Sequence, residues 1–187
     1  MHDAPAFTAV LFGLRSCLVQ AHDGGPLPAP GALETLAGLR KRQVPCIWLD
    51  EQSSAQSKRL ASILPAWLPG HSANGARWPA PNACWQALMS LESARLEGCV
   101  LVSGEPRLLQ SGLNAGLWTV GLAACSPSCD LGSSDWQAMN PHEQELARGK
   151  ATLALYSLGV HSVIDHLEAL ENCLADIAQR RRKGEKP

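Results

Sequence analysis

Residues 99–122, CVLVSGEPRLLQSGLNAGLWTVGL, contain the clearest indication of the fold. Its apolar ends, at residues 99–102 and 117–122, predict two buried strands, and residues 106–114 predict a helix between them. Pro106 suits the first helical position, where its missing N–H group costs nothing. A strand, a helix and a second strand in this order are typical of a parallel sheet covered by helices.

The same alternation of strands and helices continues on both sides of this stretch. Further strands are predicted at residues 7–12, 44–49 and 160–164. Further helices are predicted at residues 31–42 and 82–96, from Ser53 or Ser54 onwards, from Asn140 to Gly159, and from Asp165 onwards. The proline-rich segment 65–81 predicts a loop. In total the pattern predicts about six strands and six helices.

Length and composition favour one globular domain. The 187 residues, 45% of them hydrophobic and 18% charged, predict a single domain over residues 1–187, with flexible termini at about 1–6 and 180–187. The formal net charge of -1 offers no electrostatic basis for binding nucleic acid or an anionic membrane, so neither partner is expected. The basic run at residues 180–183 is interpreted as a solvated helix end in preference to a binding patch.

The cysteines and the N-terminus indicate the compartment. The seven cysteines are odd in number, are scattered, and include several within apolar runs, which predicts reduced core residues. No basic segment precedes the apolar residues near the N-terminus, so no signal peptide is expected. We therefore expect a cytoplasmic protein.

Candidate site residues follow the predicted strands, because ligands of parallel α/β sheets bind beyond the carboxyl ends of the strands. The residues at these positions are Gly13, Arg15, Ser16, Cys17, Asp50, Ser103, Gly104 and Glu105. We expect Arg15, Ser16, Cys17, Asp50, Ser103, Gly104 and Glu105 to be the ligand-binding candidates.

Residues 100–121 resemble the last conserved block of the haloacid dehalogenase superfamily, in which a hydrophobic strand and a Gly-Asp pair precede a helix that ends in Asn-Ala-Gly. Four stretches are similar to the phosphonoacetaldehyde hydrolase (phosphonatase) branch in particular. They are the Gly-Leu-Trp-Thr-Val-Gly ending of this block, Trp78-Pro-Ala-Pro81, and residues 131–134 and 159–165. The resemblance implies a three-layer α/β/α Rossmann-like fold with a mainly parallel sheet. It also implies phosphoryl chemistry on an aspartate nucleophile with magnesium, and a helical cap that supplies a Schiff-base lysine.

Several positions depart from that family pattern. The nucleophile position is Gly13, the Gly-Thr pair of the same loop is Ser16-Cys17, and Arg15 replaces an Asp or a small residue. Asp50 stands where the family has Ser or Thr, and Trp78 where it has Arg or Lys. Ser103-Gly104 and Leu108 replace the magnesium-binding carboxylates. No catalytic residue, metal site or cofactor is therefore expected, and Gly13 and Asp50 lie too close in sequence for a cap domain.

Two arrangements of the remaining charges are open. Asp50 and Glu105 could lie at neighbouring strand ends and form a new ion-pair cluster or weak cation site with Arg15. Alternatively, they cap the helices behind them or pair with Arg15 and Arg107, and the sequence favours this second arrangement. For tryptophan, we expect Trp85 and Trp118 in the core. Trp67, Trp78 and Trp136 are expected in loops, as candidates for lining a groove or partner surface.

Taken together, these observations predict a catalytically inactive relative that acts as a binding or regulatory module. Its partner would be an unidentified protein or a small anionic ligand. The alternative is a hydrolase of the phosphonoacetaldehyde hydrolase or phosphatase class that works through replacement residues. The oligomeric state is left open, with the last two helices as the candidate surface for a dimer.

Overall fold

The computed structural model describes residues 7–20, 25–72, 75–129, 136 and 138–187. The expected flexible segment 1–6 and the family-like stretch 131–134 lie outside the described residues. Within them, the central feature is a six-stranded, fully parallel sheet flanked by helices on both faces.

The sheet has the strand order β5-β4-β1-β6-β7-β8. Its strands are β1 (Ala9–Gly13), β4 (Cys46–Asp50), β5 (Gly70–Ser72), β6 (Cys99–Ser103), β7 (Trp118–Leu122) and β8 (Ser162–Ile164). A separate antiparallel hairpin of β2 (Val19–Gln20) and β3 (Leu27–Pro28) follows β1. Because β1 pairs with β4 on one side and β6 on the other, the loop after β1 lies at the middle of the carboxyl edge.

Six α-helices are described. They are α1 (Ala32–Lys41), α2 (Ser54–Ala61), α3 (Asn82–Ser90), α4 (Pro106–Asn114), α5 (Pro141–Ser157) and α6 (Leu170–Arg182). Side chains of α1, α2 and α6 pack on one face of the sheet, and those of α3, α4 and α5 pack on the other. The structure therefore confirms the predicted three-layer α/β/α architecture.

Strand β1 shows how the sequence produces these layers. Val10 and Phe12 belong to the core on the α1–α6 face, whereas Ala9 and Leu11 belong to the core on the α3–α4 face. All four side chains are fully buried. Successive side chains of a strand point to opposite faces, so a continuous apolar run is what a strand covered on both faces needs.

Local capping signals place two helix starts correctly. The Ser53 hydroxyl accepts a hydrogen bond from the N–H of Gln56 and caps α2. Asn140 and Glu143 form the predicted capping box at the start of α5, with reciprocal bonds of 3.0 and 2.9 Å. Helix α4 has its predicted bounds, with Pro106 in its first turn.

Several predicted elements were wrong. The segment 65–81 contains β5, which is short and lies at the edge of the sheet. Helix α3 ends at Ser90 and not at residue 96 as predicted. Two residues beyond its end, Glu92 adopts a left-handed φ of 51°. No side-chain cap from Asp165 opens the last helix, since a short 3₁₀ turn precedes α6.

The C-terminal helix also continues beyond its predicted end. Residues 180–182 were expected in a flexible terminus, but α6 extends to Arg182. Arg180 donates to the carbonyl of His161 at 3.0 Å and lies over the ring of Trp118, while Arg181 lies over Phe7. The guanidinium groups of this basic run thus pack against aromatic rings of the domain, and this ordered packing corrects the interpretation as a merely solvated helix end.

The tryptophans divide differently from the prediction. Trp118 is fully buried, as expected, but Trp85 is 45% exposed and is not a core residue. Trp78 and Trp136 are buried, so they do not line a groove, and Trp67 packs against the core beneath Arg40. Among the described helices, none has the length and hydropathy needed to cross a bilayer.

Candidate functional site

The candidate residues collect at the carboxyl edge of the sheet, but in a different order from the one expected. Asp50 ends β4 and Glu105 follows β6. Strand β1 lies between β4 and β6. The expectation that Asp50 and Glu105 occupy neighbouring strand ends is therefore wrong, and the loop carrying Arg15, Ser16 and Cys17 separates them.

Asp50 is a buried carboxylate whose oxygens are both engaged. Its side chain is 3% exposed and accepts a hydrogen bond from the Ser57 hydroxyl at 2.8 Å and from the Glu51 N–H at 3.0 Å. Arg15 Nε donates to both oxygens, at 3.3 and 3.2 Å. A buried charge is tolerated when it is paired and hydrogen-bonded in this way. Of the arrangements left open by the sequence, the structure shows Asp50 in an ion pair with Arg15.

Gly13 occupies the position at which the family resemblance implies the nucleophile. A Cβ atom built there would lie 2.7 Å from the Ser103 hydroxyl and 3.3 Å from a methyl group of Leu108. Both neighbours are fully buried, and the Ser103 hydroxyl accepts a hydrogen bond from the N–H of Glu105 at 3.0 Å. The space beside the end of β1 is thus filled by side chains from β6 and α4.

Gly104 is packed between two other loops. Its N–H donates to the carbonyl of Ser16 at 2.7 Å. A Cβ atom at Gly104 would lie 2.7 Å from the Ser16 carbonyl oxygen and would overlap the carbonyl group of Cys125. The loops after β1, β6 and β7 therefore meet in backbone contact. Ser16 itself has a φ of 54°, which is the left-handed conformation that glycine adopts readily.

The residues present do not fit a magnesium ion of the kind the family uses. Magnesium is held in proteins through carboxylate oxygens. Gly13 and Gly104 offer none, Leu108 is apolar and buried, and the Asp50 oxygens already accept bonds from Arg15, Ser57 and Glu51. Across the described part of the chain, no group of three or more His, Cys, Asp or Glu side chains is arranged to hold a metal ion.

Glu105 serves as a helix cap, as the favoured alternative predicted. Its carboxylate accepts a hydrogen bond from the N–H of Arg107 at 3.1 Å at the start of α4. Arg107, however, pairs with Glu51 at 3.3 Å and not with Glu105.

Glu51 and Arg107 form a second cluster that the sequence analysis missed. The other Glu51 oxygen accepts the N–H of Trp78 at 2.6 Å, and Arg107 donates to the carbonyl of Trp78. The cluster ties the Trp78 segment to the ends of β4 and α4. In the sequence, Glu51 is a carboxylate directly after a predicted strand, and Arg107 lies in the first turn of a predicted helix. These two features do not show that the side chains are in contact.

Cys17 is fully buried in the loop after β1. Burial raises the pKa of its thiol well above the ordinary value, the nearby Cys125 raises it further, and a hydrogen bond with the backbone of Gly13 partly opposes this. Burial, together with Cys129, also raises the pKa of Cys125 to about 12. A thiol that resists deprotonation is a poor nucleophile. The structure therefore places Cys17 as a buried thiol, without the properties of a reactive cysteine.

Comparisons with known proteins agree with the fold. No family model matches the chain. Phosphonoacetaldehyde hydrolase of Klebsiella pneumoniae is 30% identical over 171 residues, which cover 86% of this chain and 62% of that protein. The Salmonella typhimurium protein of the same name is 30% identical over 168 residues, with the same coverage. The chain thus spans about three fifths of the length of these curated relatives.

Solved structures extend the likeness. One crystal structure is 55% identical, has a TM-score of 0.90, and is matched over its whole chain and 97% of this one. A phosphonoacetaldehyde hydrolase-like protein from Oleispira antarctica is 27% identical with a TM-score of 0.78, covering 86% of this chain and 60% of that one. A haloacid dehalogenase (HAD) family hydrolase from Deinococcus radiodurans, with bound phosphate and sodium, shares the fold at 20% identity, a TM-score of 0.69, and coverage of 94% and 97%. The chain belongs to the haloacid dehalogenase superfamily, in its phosphonoacetaldehyde hydrolase-like branch.

Proposed function

We propose that this protein is a non-catalytic binding module that keeps the haloacid dehalogenase fold without its phosphoryl chemistry. The observation that carries the proposal is the filling of the family's reaction centre by protein atoms. Ser103 and Leu108 occupy the space beside Gly13, and the carbonyl groups of Ser16 and Cys125 close over Gly104.

Covalent phosphoryl transfer depends on several groups acting at one centre, so the replacements are considered together. Covalent phosphoryl transfer needs a carboxylate nucleophile, a cation that neutralises developing charge, and donors around the phosphoryl oxygens. Gly13 cannot form an aspartyl intermediate, and a carboxylate at residue 104 would collide with backbone that has no freedom to rotate away. A single loss can be compensated by a neighbour. Loss of the nucleophile and the metal ligands together in one centre is harder to compensate and supports a non-catalytic role.

We also propose that the chain works without a cap. In the described part of the connection between β1 and β4, residues 14–20 and 25–45, the chain forms the β2–β3 hairpin and helix α1. The only lysine in that connection is Lys41, at the end of α1. A Schiff-base lysine over the carboxyl edge is therefore not part of the proposed function.

The binding surface we propose is the loop after β1. The Arg15 side chain is 45% exposed and contacts Asp50 through Nε. Its terminal nitrogens have no partner among the described residues, and we propose that they receive a small anion or an acidic group of a protein partner. Asp50 limits the net positive charge of this surface. Modest affinity, set by the donors of one arginine and the loop, is therefore expected.

The test is an assay for turnover. Purified protein is incubated with phosphonoacetaldehyde or p-nitrophenyl phosphate, with magnesium or with a chelator, and phosphate and acetaldehyde release are followed. The Klebsiella pneumoniae phosphonoacetaldehyde hydrolase serves as positive control. The expected result is no release above the protein-free background. Turnover that persists through purification and falls in Asp50→Asn or Glu51→Gln would establish the alternative, a hydrolase that uses replacement carboxylates.

A second arm tests the filled centre directly. Gly104→Asp is expected to destabilise the fold by several kcal/mol and to bind no magnesium, because the new side chain has no space (about 3 kcal/mol, in the range of overpacked core substitutions). Gly38→Asp, on α1, is the matched control and should fold with near-normal stability, because a Cβ atom at Gly38 would meet nothing within 4 Å. A stable Gly104→Asp variant that binds magnesium in calorimetry would show that the centre remains open to the metal.

A further inference from the structure

Helix α5 carries an apolar stripe on its outer side. The α5 stripe consists of Met139, His142, Leu146, Gly149, Leu153 and Tyr156. Leu153 is 69% exposed, Leu146 53% and Tyr156 52%, and Met139 is also exposed. Exposed leucines occur singly on most surfaces, but Leu146, Leu153 and Tyr156 on α5, with Met139 just before its first turn, form a contiguous patch.

The stripe lies opposite the face that packs on the domain. Ala151 and Leu155 bury the inner face of α5 against the third core cluster. At 100° per residue, Leu146 and Leu153 project almost directly away from Ala151. The stripe positions repeat at alternating steps of three and four residues, which is the spacing by which one helix contacts another. The outer face of α5 thus has the pattern of a helix–helix interface in addition to its inner core face.

A groove runs along the same face. It has a volume of about 420 Å³ and is lined by Ala138, Met139, Glu143, Leu146, Ala147 and Lys150. Gly149 lies on the stripe in open space, because a Cβ atom there would meet nothing within 4 Å. A glycine at the middle of an apolar stripe permits close approach of a second helix.

We propose that the α5 stripe is the interface of a homodimer, in which α5 of a second copy lies antiparallel across a twofold axis near Ala147. Charge complementarity selects this occupant. Glu143 and Lys150 lie on the same flank of the stripe, seven residues or about 10 Å apart. A twofold axis between them places Glu143 of each copy beside Lys150 of the other, which makes two ion pairs from one repeated contact.

The apolar positions fit the same axis. Leu146 of each copy packs beside Leu146 and Gly149 of the other, and Leu153 packs beside His142. Tyr156 packs beside Met139. The surface is self-complementary in both shape and charge, as a twofold interface requires. The dimer does not depend on whether the carboxyl edge of the sheet is catalytic.

The experiment measures the mass of the full chain by sedimentation equilibrium over a concentration series. The expected species at high concentration is twice the 19.9 kDa chain mass. Leu146→Glu should raise the dimer dissociation constant by at least about tenfold, since the twofold axis brings the two introduced carboxylates together in the interface. Leu33→Glu is the matched control, because Leu33 is an exposed leucine on α1, and it should leave the dissociation constant unchanged.

Two further variants separate the dimer from the fold. Gly149→Gln improves helix propensity within one copy, so it should not lower the melting temperature, yet it should weaken the dimer by obstructing the close approach. Lys150→Glu should weaken it and Lys58→Glu, on α2, should not. A 19.9 kDa mass at every concentration overturns the proposal. A larger species that is no multiple of that mass also overturns it, because another partner then covers the stripe.

Discussion

At the scale of single residues, Asp50 shows how a buried charge is held. Three donors from β4, α2 and the loop after β1 surround its carboxylate, and only Arg15 among them carries a compensating charge. The family resemblance implies a Ser or Thr at this position that binds the phosphoryl group. Here the same edge of the sheet has become part of the internal hydrogen bonding that joins three segments.

Replacement of Asp50 by Ala is expected to lower the free energy of unfolding by about 2–3 kcal/mol, because it leaves the Ser57 hydroxyl and the Arg15 guanidinium without their acceptor. Arg15 can return to water, so the loss stays below that of a fully buried pair. Urea denaturation measures the change, and Glu34→Ala on α1 is the control. A change within about 0.5 kcal/mol, the usual range of surface substitutions, would mean that the carboxylate is not held as described.

The replacement Ser16→Gly is expected to stabilise the protein by about 0.5–1 kcal/mol. Ser16 has a φ of 54°, a left-handed conformation that costs a residue with a side chain about 1–2 kcal/mol. Glycine removes this cost, but it also raises the conformational entropy of the unfolded chain, so the net gain is smaller. Ser62→Gly, at a right-handed position with φ -61°, is the matched control and should destabilise. Equal effects of the two substitutions in thermal unfolding would contradict the conformational explanation.

At the scale of elements, the connection between β7 and β8 depends on the side chain of His161. Its Nδ1 accepts the N–H of Thr119 at 3.0 Å, and its ring lies 4.8 Å from that of Trp118. Arg180 of α6 lies over Trp118 and donates to the His161 carbonyl. These contacts of His161 link an edge strand to the last helix.

The stability of this connection should depend on pH. Burial, and secondarily the charge of Arg180, lower the pKa of His161 from its ordinary value of 6.5. In the folded state the ring therefore stays neutral where the unfolded chain takes up a proton. The neutral His161 ring therefore contributes to the free energy of unfolding in full above pH 6.5, and this contribution is lost as the pH falls through the folded-state pKa.

Urea unfolding between pH 8 and pH 5 measures this dependence, with the wild-type free energy expected to decline below about pH 6.5, the pKa of an unperturbed histidine. His161→Asn should flatten that decline. An identical pH profile in wild type and His161→Asn would assign the acid sensitivity to another group.

At the scale of the whole molecule, the parallel sheet predicts an order of protection from hydrogen exchange. Strands β1 and β6 lie inside the sheet and are buried on both faces, whereas β5 and β8 form its edges. Amides of β1 and β6 should exchange only through global unfolding, and those of β5 should exchange through local opening. Mass spectrometry of peptides covers both classes. Faster exchange in β6 than in β5 would contradict the order of the sheet.

Elements with local sequence signals could be predicted without the structure. The apolar runs of β1, β6 and β7, the capping box of α5, and Pro106 at the start of α4 each depend on residues a few positions apart. That residues 13, 104 and 108 are Gly, Gly and Leu, and carry no carboxylate, is likewise read from the sequence alone. The favoured roles of Asp50 and Glu105 follow from the common behaviour of charges in such loops.

Contacts between the loops at the carboxyl edge could not be predicted in the same way. Strand order places β1 between β4 and β6, so Asp50 and Glu105 are apart, and Glu51 instead reaches Arg107 and Trp78. The exposure of Trp85 and the short edge strand β5 also depend on distant neighbours. The physical reason is that helix and strand patterns report which face of an element is buried, whereas contacts between loops depend on the order in which the strands pair.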